Sequence, residues 1–309
     1  RRGEAVKIVI VGGGVVGTAT ALGFQRLGHD VQVCDVREDC LAASKGFPIG
    51  KASFLGSPDV VFFCVPESRI DEAVLTVHQI LPEGVSRYIR SSVPVGTCKR
   101  LSEKYGRHVG HNPEFLREAV AEYEFLNSPA VVLGDCCYDH GIILENLYQP
   151  LRVPIHHTTP EVSELTKLAV NGYLATQISY WNQMKLLAAA LGVNSHEVGM
   201  LAAHCDDRVS IYGARMHGKP YGGKCLPKDL KQLIDLCAKQ GVSSPLLQAV
   251  AIVNRRMGSE SEEETWADTH ADASYRHSRP CPNCAEGWIP AGTGAPVCPT
   301  CATGPRANP

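Results

Sequence analysis

A thiol, a lysine, an amide and several carboxylates stand in this sequence at spacings that could oxidise an alcohol carbon. Cys225 follows Tyr221-Gly222-Gly223-Lys224 and precedes Leu226-Pro227-Lys228-Asp229. Proline fits the first turn of a helix, so the thiol is expected at a helix N-terminus, where free N–H groups and the dipole lower its pKa. Asp229 lies four residues further on, hence on the same helix face. Lys167 and Asn171 form a second such pair, and Glu114 and Glu118 a third. Taking a primary alcohol to an acid requires two hydride transfers with an aldehyde between them. A thiolate can hold that aldehyde as a thiohemiacetal, give up the second hydride to become a thioester, and be released by water. The Lys167 cation and the Asn171 amide could stabilise developing oxyanions, each donor being worth about 3 kcal/mol. Glu114 is the candidate base that activates the water, a role Asp229 could share. Each residue has an ordinary reading when taken alone: a buried inert thiol, a solvated helix lysine, a surface capping pair of glutamates.

Hydride chemistry needs an acceptor, and the start of the chain offers a place for one. Gly12-Gly13-Gly14-Val15-Val16-Gly17 satisfies G-x-G-x-x-G after an apolar run, residues 6–11, and before a helical pattern, residues 15–27. Gly12 permits the tight turn, Gly14 lets backbone approach a pyrophosphate, and Gly17 lets helix and strand pack closely. The phosphates would sit on the helix N-terminus, with Val15 and Val16 in its first turn. Asp35 stands 18 residues after Gly17, where a carboxylate accepts from a ribose 2′-OH. That favours NAD, while Arg37 nearby keeps NADP open.

The elements that must position these groups follow from periodicity. Strands are predicted at residues 6–11, 29–36, 59–65, 88–91, 108–110 and 130–133. The first strands are continuous apolar runs separated by a helix, the pattern of a parallel sheet covered on both faces. From 159 to 191 one long helix is expected, with Pro160 at its start and Gly192 after its end. Further helices are expected at 194–204, 227–240 and 245–257. His111, His156 and His157 are expected on the surface or in loops.

Four stretches carry a resemblance: Ser91-Ser92-Val93-Pro94-Val95-Gly96-Thr97, Asn112 to Glu118, Glu164-Leu165-Thr166-Lys167 running to Asn171, and Tyr221 to Asp229. In this order and spacing the chain resembles the UDP-glucose/GDP-mannose dehydrogenase family from the glycine loop to about Met257. Leu230-Lys231-Gln232-Leu233 is closer in kind to bacterial UDP-glucose 6-dehydrogenases. The resemblance implies a Rossmann-type doubly wound parallel sheet followed by an all-helical central domain, in a cytoplasmic NAD enzyme of polysaccharide biosynthesis. It implies UDP-glucose oxidised to UDP-glucuronate. GDP-mannose, a UDP-N-acetylhexosamine, or an impaired nucleotide-binding relative are the alternatives. Under it, Glu114, Phe115, Leu116, Lys167, Asn171, Tyr221, Gly222 and Gly223 touch the sugar nucleotide, and Val65, Pro66 and Glu118 flank the cofactor. Ser92 stands where the family usually carries Thr and keeps the hydroxyl. Arg208 resembles an arginine that reaches the neighbouring subunit's site, which would make the central domain a homodimer interface. Its ordinary reading is a surface arginine.

The chain also departs from that family. Only 24 residues separate Asp35 from Val60, where the family inserts another helix and strand, and Val65-Pro66-Glu67-Ser68 replaces a threonine-bearing loop. The 51 residues after Gly258 are too few for the third, UDP-closing domain. They hold Cys281-Pro282-Asn283-Cys284 and Cys298-Pro299-Thr300-Cys301, paired knuckles that could converge on one structural Zn²⁺. A redox dithiol is the rival, disfavoured without a βαβ context. The expected division is therefore 1–157 for NAD binding, 158–258 for the helical catalytic and dimerisation domain, 259–279 for an acidic linker, and 280–304 for a zinc-ribbon-like module open to a protein partner. Lys+Arg 30 against Asp+Glu 32 argues against nucleic acid. No run of 18 apolar residues points to a membrane, and residues 1–7 lack a signal-peptide core.

Overall fold

The structure is a computed structural model that describes residues 5–35, 58–135, 138–223, 225–263, 279–280 and 288–289. Arg37, the lysine at 224 and the cysteines at 281, 284, 298 and 301 lie outside the described residues, as does most of the expected linker and ribbon. The chain divides into two compact units, Arg1–Arg255 and Arg256–Pro309.

The first unit is built on a seven-stranded sheet in the order β2-β1-β3-β4-β5-β6-β7. Its strands are β1 (Lys7–Val11), β2 (Asp30–Cys34), β3 (Val60–Phe63), β4 (Ser86–Ile89), β5 (Gly110–His111), β6 (Val131–Gly134) and β7 (Ile155–Thr158). Alternation along them sorts the core into two faces, as a doubly wound sheet requires. Ile8, Ile10, Val60 and Phe62 pack on one side with Phe24 of α1 (Val15–Arg26), Phe125 of α4 (Ala121–Leu126) and Leu144 of α5 (Tyr138–Tyr148). Val9, Val61 and Phe63 face the other side, against Val74 and Val77 of α2 (Ile70–Ile80) and Leu101 of α3 (Thr97–Tyr105).

The expected fully parallel sheet needs one correction: β5 pairs antiparallel with β6, through His111 and Gly134 alone. A two-residue strand sets no long ladder, so the chain can re-enter in the opposite sense. β7 is a second difference. His156 and His157 are exposed, as expected, but on an edge strand paired in parallel with β6 rather than in a loop.

After β7 the chain becomes helical: α6 (Pro160–Leu191), α7 (Ser195–Cys205), α8 (Ile211–Met216), α9 (Leu226–Lys239) and α10 (Pro245–Glu263). Thr159 caps α6 by accepting from Val162 N–H, Pro160 opens it, and Gly192 in the left-handed region closes it. Ala175, Ile178, Tyr221, Leu230 and Val250 form the core among these helices. A Cβ on Gly172 would stand 2.6 Å from Leu233 Cδ1, so α6 and α9 approach closely at that point. α10 continues to Glu263, five residues into the expected linker. Glutamate is a good helix former, and the acidic run 259–263 extends the helix rather than breaking it. In the second unit Arg279–Pro280 and Trp288–Ile289 pair as antiparallel strands.

Candidate active site

The glycine loop is held by steric fit. Gly12 has φ 106°, and a Cβ there would stand 2.6 Å from the Cys64 carbonyl oxygen; one on Gly17 would stand 1.8 Å from Gly12 O. Strand β1, the loop, α1 and the end of β3 therefore interlock through backbone. Among the described residues nothing lies within 4 Å of a Cβ built on Gly14, and Gly14, the N-cap of α1, offers no side-chain cap. Open space before uncapped N–H groups suits a pyrophosphate. The Asp35 carboxylate closes β2 and accepts from Gly13 N–H at 2.7 Å, which fixes it beside the loop where a ribose would lie. These residues fit NAD. Val65 flanks the loop and accepts from Ser91 Oγ at 2.6 Å, and Pro66 is exposed next to it.

The second cluster joins α6, α9 and the segment after β5. Lys167 and Asn171, one turn apart on α6, are both buried. Lys167 Nζ lies 3.4 Å from Glu114 Oε1 and 5.2 Å from the Phe115 ring centroid. Glu114 Oε2 accepts from Leu116 N–H at 2.6 Å. Asn171 donates to Asp229 Oδ2 at 2.5 Å. Asp229 is fully buried in the first turn of α9, its N–H donating to Cys225 O at 2.9 Å. Cys225 is the exposed residue that opens this helix. Lys167, Lys228, Glu114 and Asp229 all act on its thiol electrostatically. Gly222 and Gly223 are exposed just before it.

Three expectations change, for Cys225, the Glu114–Glu118 pair and His111. The Cys225 thiol is not lowered: burial by the surrounding protein, first, and then the Glu114 and Asp229 carboxylates push it up, against Lys167 and Lys228. The residue is exposed as a whole, yet the protein around its thiol disfavours the charged form. Glu114 and Glu118 do not share a helix face, because residues 112–117 are not helical. Pro113 and the bond from Leu116 N–H keep that segment irregular, with Glu114 buried and Glu118 exposed. His111 is neither surface nor loop but fully buried in β5, bonded to Ser163 Oγ at 2.8 Å, and burial lowers its pKa to about 3. The Tyr221 ring lies in the helical core, its backbone N–H donating to Asn254 Oδ1 at 2.7 Å; it anchors the glycine pair. Arg208 is exposed, with its guanidinium held by Asp206 at 2.6 Å.

Two residues within the quoted stretches act where no role was read. Lys228 Nζ lies 2.7 Å from Asp229 Oδ1, donates to Ser92 O at 3.2 Å and reaches Glu67 Oε2 at 4.0 Å. It thereby ties the thiol's helix to the Ser92 segment and to the loop after β3. Its position between Pro227 and Asp229 was the available signal. Glu164 accepts from Gly96 N–H at 2.6 Å and Cys98 N–H at 2.8 Å, capping α3 from α6. Burial pushes its pKa up, and those two N–H bonds pull it back. Cys34 and Cys64, by contrast, are pushed up to about 11 and about 12 by burial alone or first, the state of inert thiols.

Residues 59–152 match the UDP-glucose/GDP-mannose dehydrogenase family, NAD binding domain, and residues 161–256 match that family's central domain. The first match begins past the glycine loop and the shortened connection. UDP-glucose 6-dehydrogenase AglM of Haloferax volcanii is 30% identical over 305 residues, covering 81% of this chain and 69% of the relative. UDP-glucose 6-dehydrogenase TuaD of Bacillus subtilis is 28% identical over 292 residues, covering 81% of this chain. The chain spans 63% of that relative's length, a little under two thirds. The solved structure of a UDP-glucose dehydrogenase from Pyrobaculum islandicum aligns with a TM-score of 0.74 at 26% identity, covering 84% of this chain and 70% of that one. Two domains matched in order, and a relative 30% identical and covered beyond two thirds, place this chain in the UDP-glucose/GDP-mannose dehydrogenase family.

Proposed function

We propose that the chain catalyses the NAD-dependent four-electron oxidation of a nucleotide sugar, UDP-glucose to UDP-glucuronate first among candidates. One observation carries the reading: Glu114–Lys167 and Asn171–Asp229 form two buried contacts beside the helix start that presents Cys225. NAD bound on the glycine loop supplies the hydride acceptor. Lys167 and Asn171 offer N–H donors to the substrate oxygen as negative charge develops there. The Cys225 sulfur adds to the aldehyde carbon, forming the C–S bond of a thiohemiacetal, and loss of the second hydride leaves a thioester. Because the resting thiol is pushed up, Lys167 and Lys228 are the groups that favour its ionisation. Glu114 takes a proton from water as its oxygen attacks the thioester carbonyl; the C–S bond breaks and the thiolate leaves. Ser92, held near Lys228, is read as a hydroxyl lining the same space.

Two further parts belong to this reading. Tyr173, Tyr180, Leu187 and Leu191 are 61%, 56%, 52% and 68% exposed at helical spacing along α6, an apolar stripe suited to a second copy of the chain. Cys281, Cys284, Cys298 and Cys301 would hold a structural Zn²⁺. Sedimentation and metal analysis of the purified chain check both: a monomer without zinc removes them and leaves the enzyme reading standing.

NADH formed per UDP-glucose tests the reaction. Two NADH per sugar, lost in Cys225→Ala, is the expected result. Turnover confined to GDP-mannose or a UDP-N-acetylhexosamine reassigns the sugar, and no turnover across that panel overturns the activity.

A further inference from the structure

We infer that Arg90 is a positioning residue for Glu114, fixing the backbone that carries the water-activating carboxylate; this rests on the function proposed above. Arg90 follows β4, with its N–H bonded to Phe63 O at 2.9 Å, and it is buried at 3% exposure. Its Nη1 donates to Asn112 Oδ1 and, at 2.6 Å, to Tyr148 OH. The Tyr148 hydroxyl itself donates to the same Asn112 oxygen at 2.6 Å. Asn112 Nδ2 donates to Val132 O at 2.9 Å, and Asn112 N–H to Ile89 O at 2.9 Å. The asparagine is thus tied to β4 and the residue after it, to β6 and to the end of α5. Pro113, with its fixed φ, is all that separates it from Glu114. Arg90, Asn112 and Glu114 line one cavity of about 30 Å³.

Glu114 therefore has two supports. Lys167 and Leu116 N–H hold its carboxylate, while Arg90 and Tyr148, through Asn112, hold its root. A buried guanidinium is an expensive way to hold an asparagine. No carboxylate among the described residues pairs with Arg90. Phe62 and Phe125 ring faces at 5.8 and 5.6 Å and the neutral Asn112 and Tyr148 oxygens are its compensation. Packing alone would be served as well by a methionine, so the charge is informative.

Arg90→Met makes that distinction, because Tyr148 OH still satisfies Asn112 Oδ1 in the variant. With the Glu114 root loosened, water attack slows while both hydride transfers continue. A pre-steady-state burst of NADH at the parental rate is expected. Steady-state kcat then falls on the order of 10²-fold, the cost of a misplacement of about 1 Å, with KM for the sugar unchanged. Intact-protein mass spectrometry should find the nucleotide-sugar acyl group accumulating on Cys225, and Arg90→Lys should restore part of the hydrolysis. Tm at or above the parental value is expected for Arg90→Met. Loss of activity with a lowered Tm and no adduct overturns the inference in favour of a structural arginine. Parental kcat without adduct overturns it outright. A parental chain that forms no NADH overturns the proposed activity, and this inference falls with it; an active parent with an adduct-free variant sinks the inference alone.

Discussion

The glycine loop and the cluster around Cys225 are both built from residues that a sequence displays openly, yet they are held by opposite means. At the loop, backbone meets backbone: Gly12 against Cys64 O, Gly17 against Gly12 O. The partners are main-chain atoms of the loop itself and of the end of β3, and the binding groups are N–H donors that every residue owns. At the cluster, side chains from distant segments meet. Asn171 and Asp229 are 58 residues apart, and Ser92 and Lys228 are 136 apart. What holds them is charge and hydrogen bonding inside a low-dielectric space. A loop of the first kind tolerates no added volume where backbone meets backbone, at Gly12 and Gly17. A cluster of the second kind tolerates shape changes better than changes of charge.

The strongest way to break this contrast is Gly17→Ala. Its Cβ would sit 1.8 Å from a main-chain oxygen, an overlap that no rotamer can relieve, so α1 must leave β1. A loss of roughly 4 kcal/mol or more is expected, the range reserved for strain in a packed core, read as a fall in the urea midpoint. If stability is unchanged, the loop is not held by contact.

Lys167→Met tests the other side. It removes the cation beside Glu114 and the stronger of the two cations favouring the Cys225 thiolate. Removing one partner of this buried ion pair leaves the Glu114 carboxylate uncompensated and should cost about 3 kcal/mol of stability, but kcat should fall 10²–10³-fold. The sign of the pH effect follows. A thiol already pushed up loses a neighbouring cation, so its ionisation moves to still higher pH. Iodoacetamide labelling of Cys225 followed against pH should shift in the alkaline direction. A shift toward acid, or none, would mean that Lys167 does not face the sulfur.

The same contrast explains what could be read beforehand. Strands β1 to β3 and helix α6 were legible because burial on both faces and helix caps leave local marks: continuous Val, Ile and Phe, Pro160, Gly192. β7 was not, since Ile155-His156-His157-Thr158 is an edge strand whose polar residues face solvent and mimic a loop. α3 was missed for the same reason: Thr97 to Tyr105 presents few apolar residues, and it is placed by the Glu164 carboxylate at its N-terminus, a contact with no local signature. In the site, residue types announced Cys225, Asp229, Lys167 and Asn171. Their pairing across distant segments, rather than along one helix, appeared only with the fold: Lys167 meets Glu114, and Asn171 meets Asp229. Glu114 with Glu118 is the instructive error. An i, i+4 spacing means one face only where the backbone is helical, and Pro113 and the Leu116 N–H bond make it otherwise. The direction of the thiol shift was equally out of reach, because burial of the sulfur depends on which segments close around it.

The finest test divides the loop against itself. Gly14 belongs to the same motif as Gly17, but its φ of −69° suits any residue, and among the described residues nothing lies within 4 Å of an added Cβ. Gly14→Ala should therefore fold. Alanine is a poorer N-cap than glycine, so a stability cost of about 1 kcal/mol is expected. The methyl would occupy the space before the α1 N–H groups, where a pyrophosphate must approach closely. NADH affinity, followed by fluorescence titration, should weaken about tenfold, equivalent to ~1.4 kcal/mol. The Cys225 labelling profile should stay where it is, because no residue of the loop is among those acting on the thiol. Unchanged NADH affinity would mean that Gly14 is a turn residue only and that the dinucleotide lies elsewhere. A folded Gly14→Ala with weakened cofactor binding, beside an unfolded Gly17→Ala, would separate the glycine kept open for the ligand from the glycine kept small for the fold.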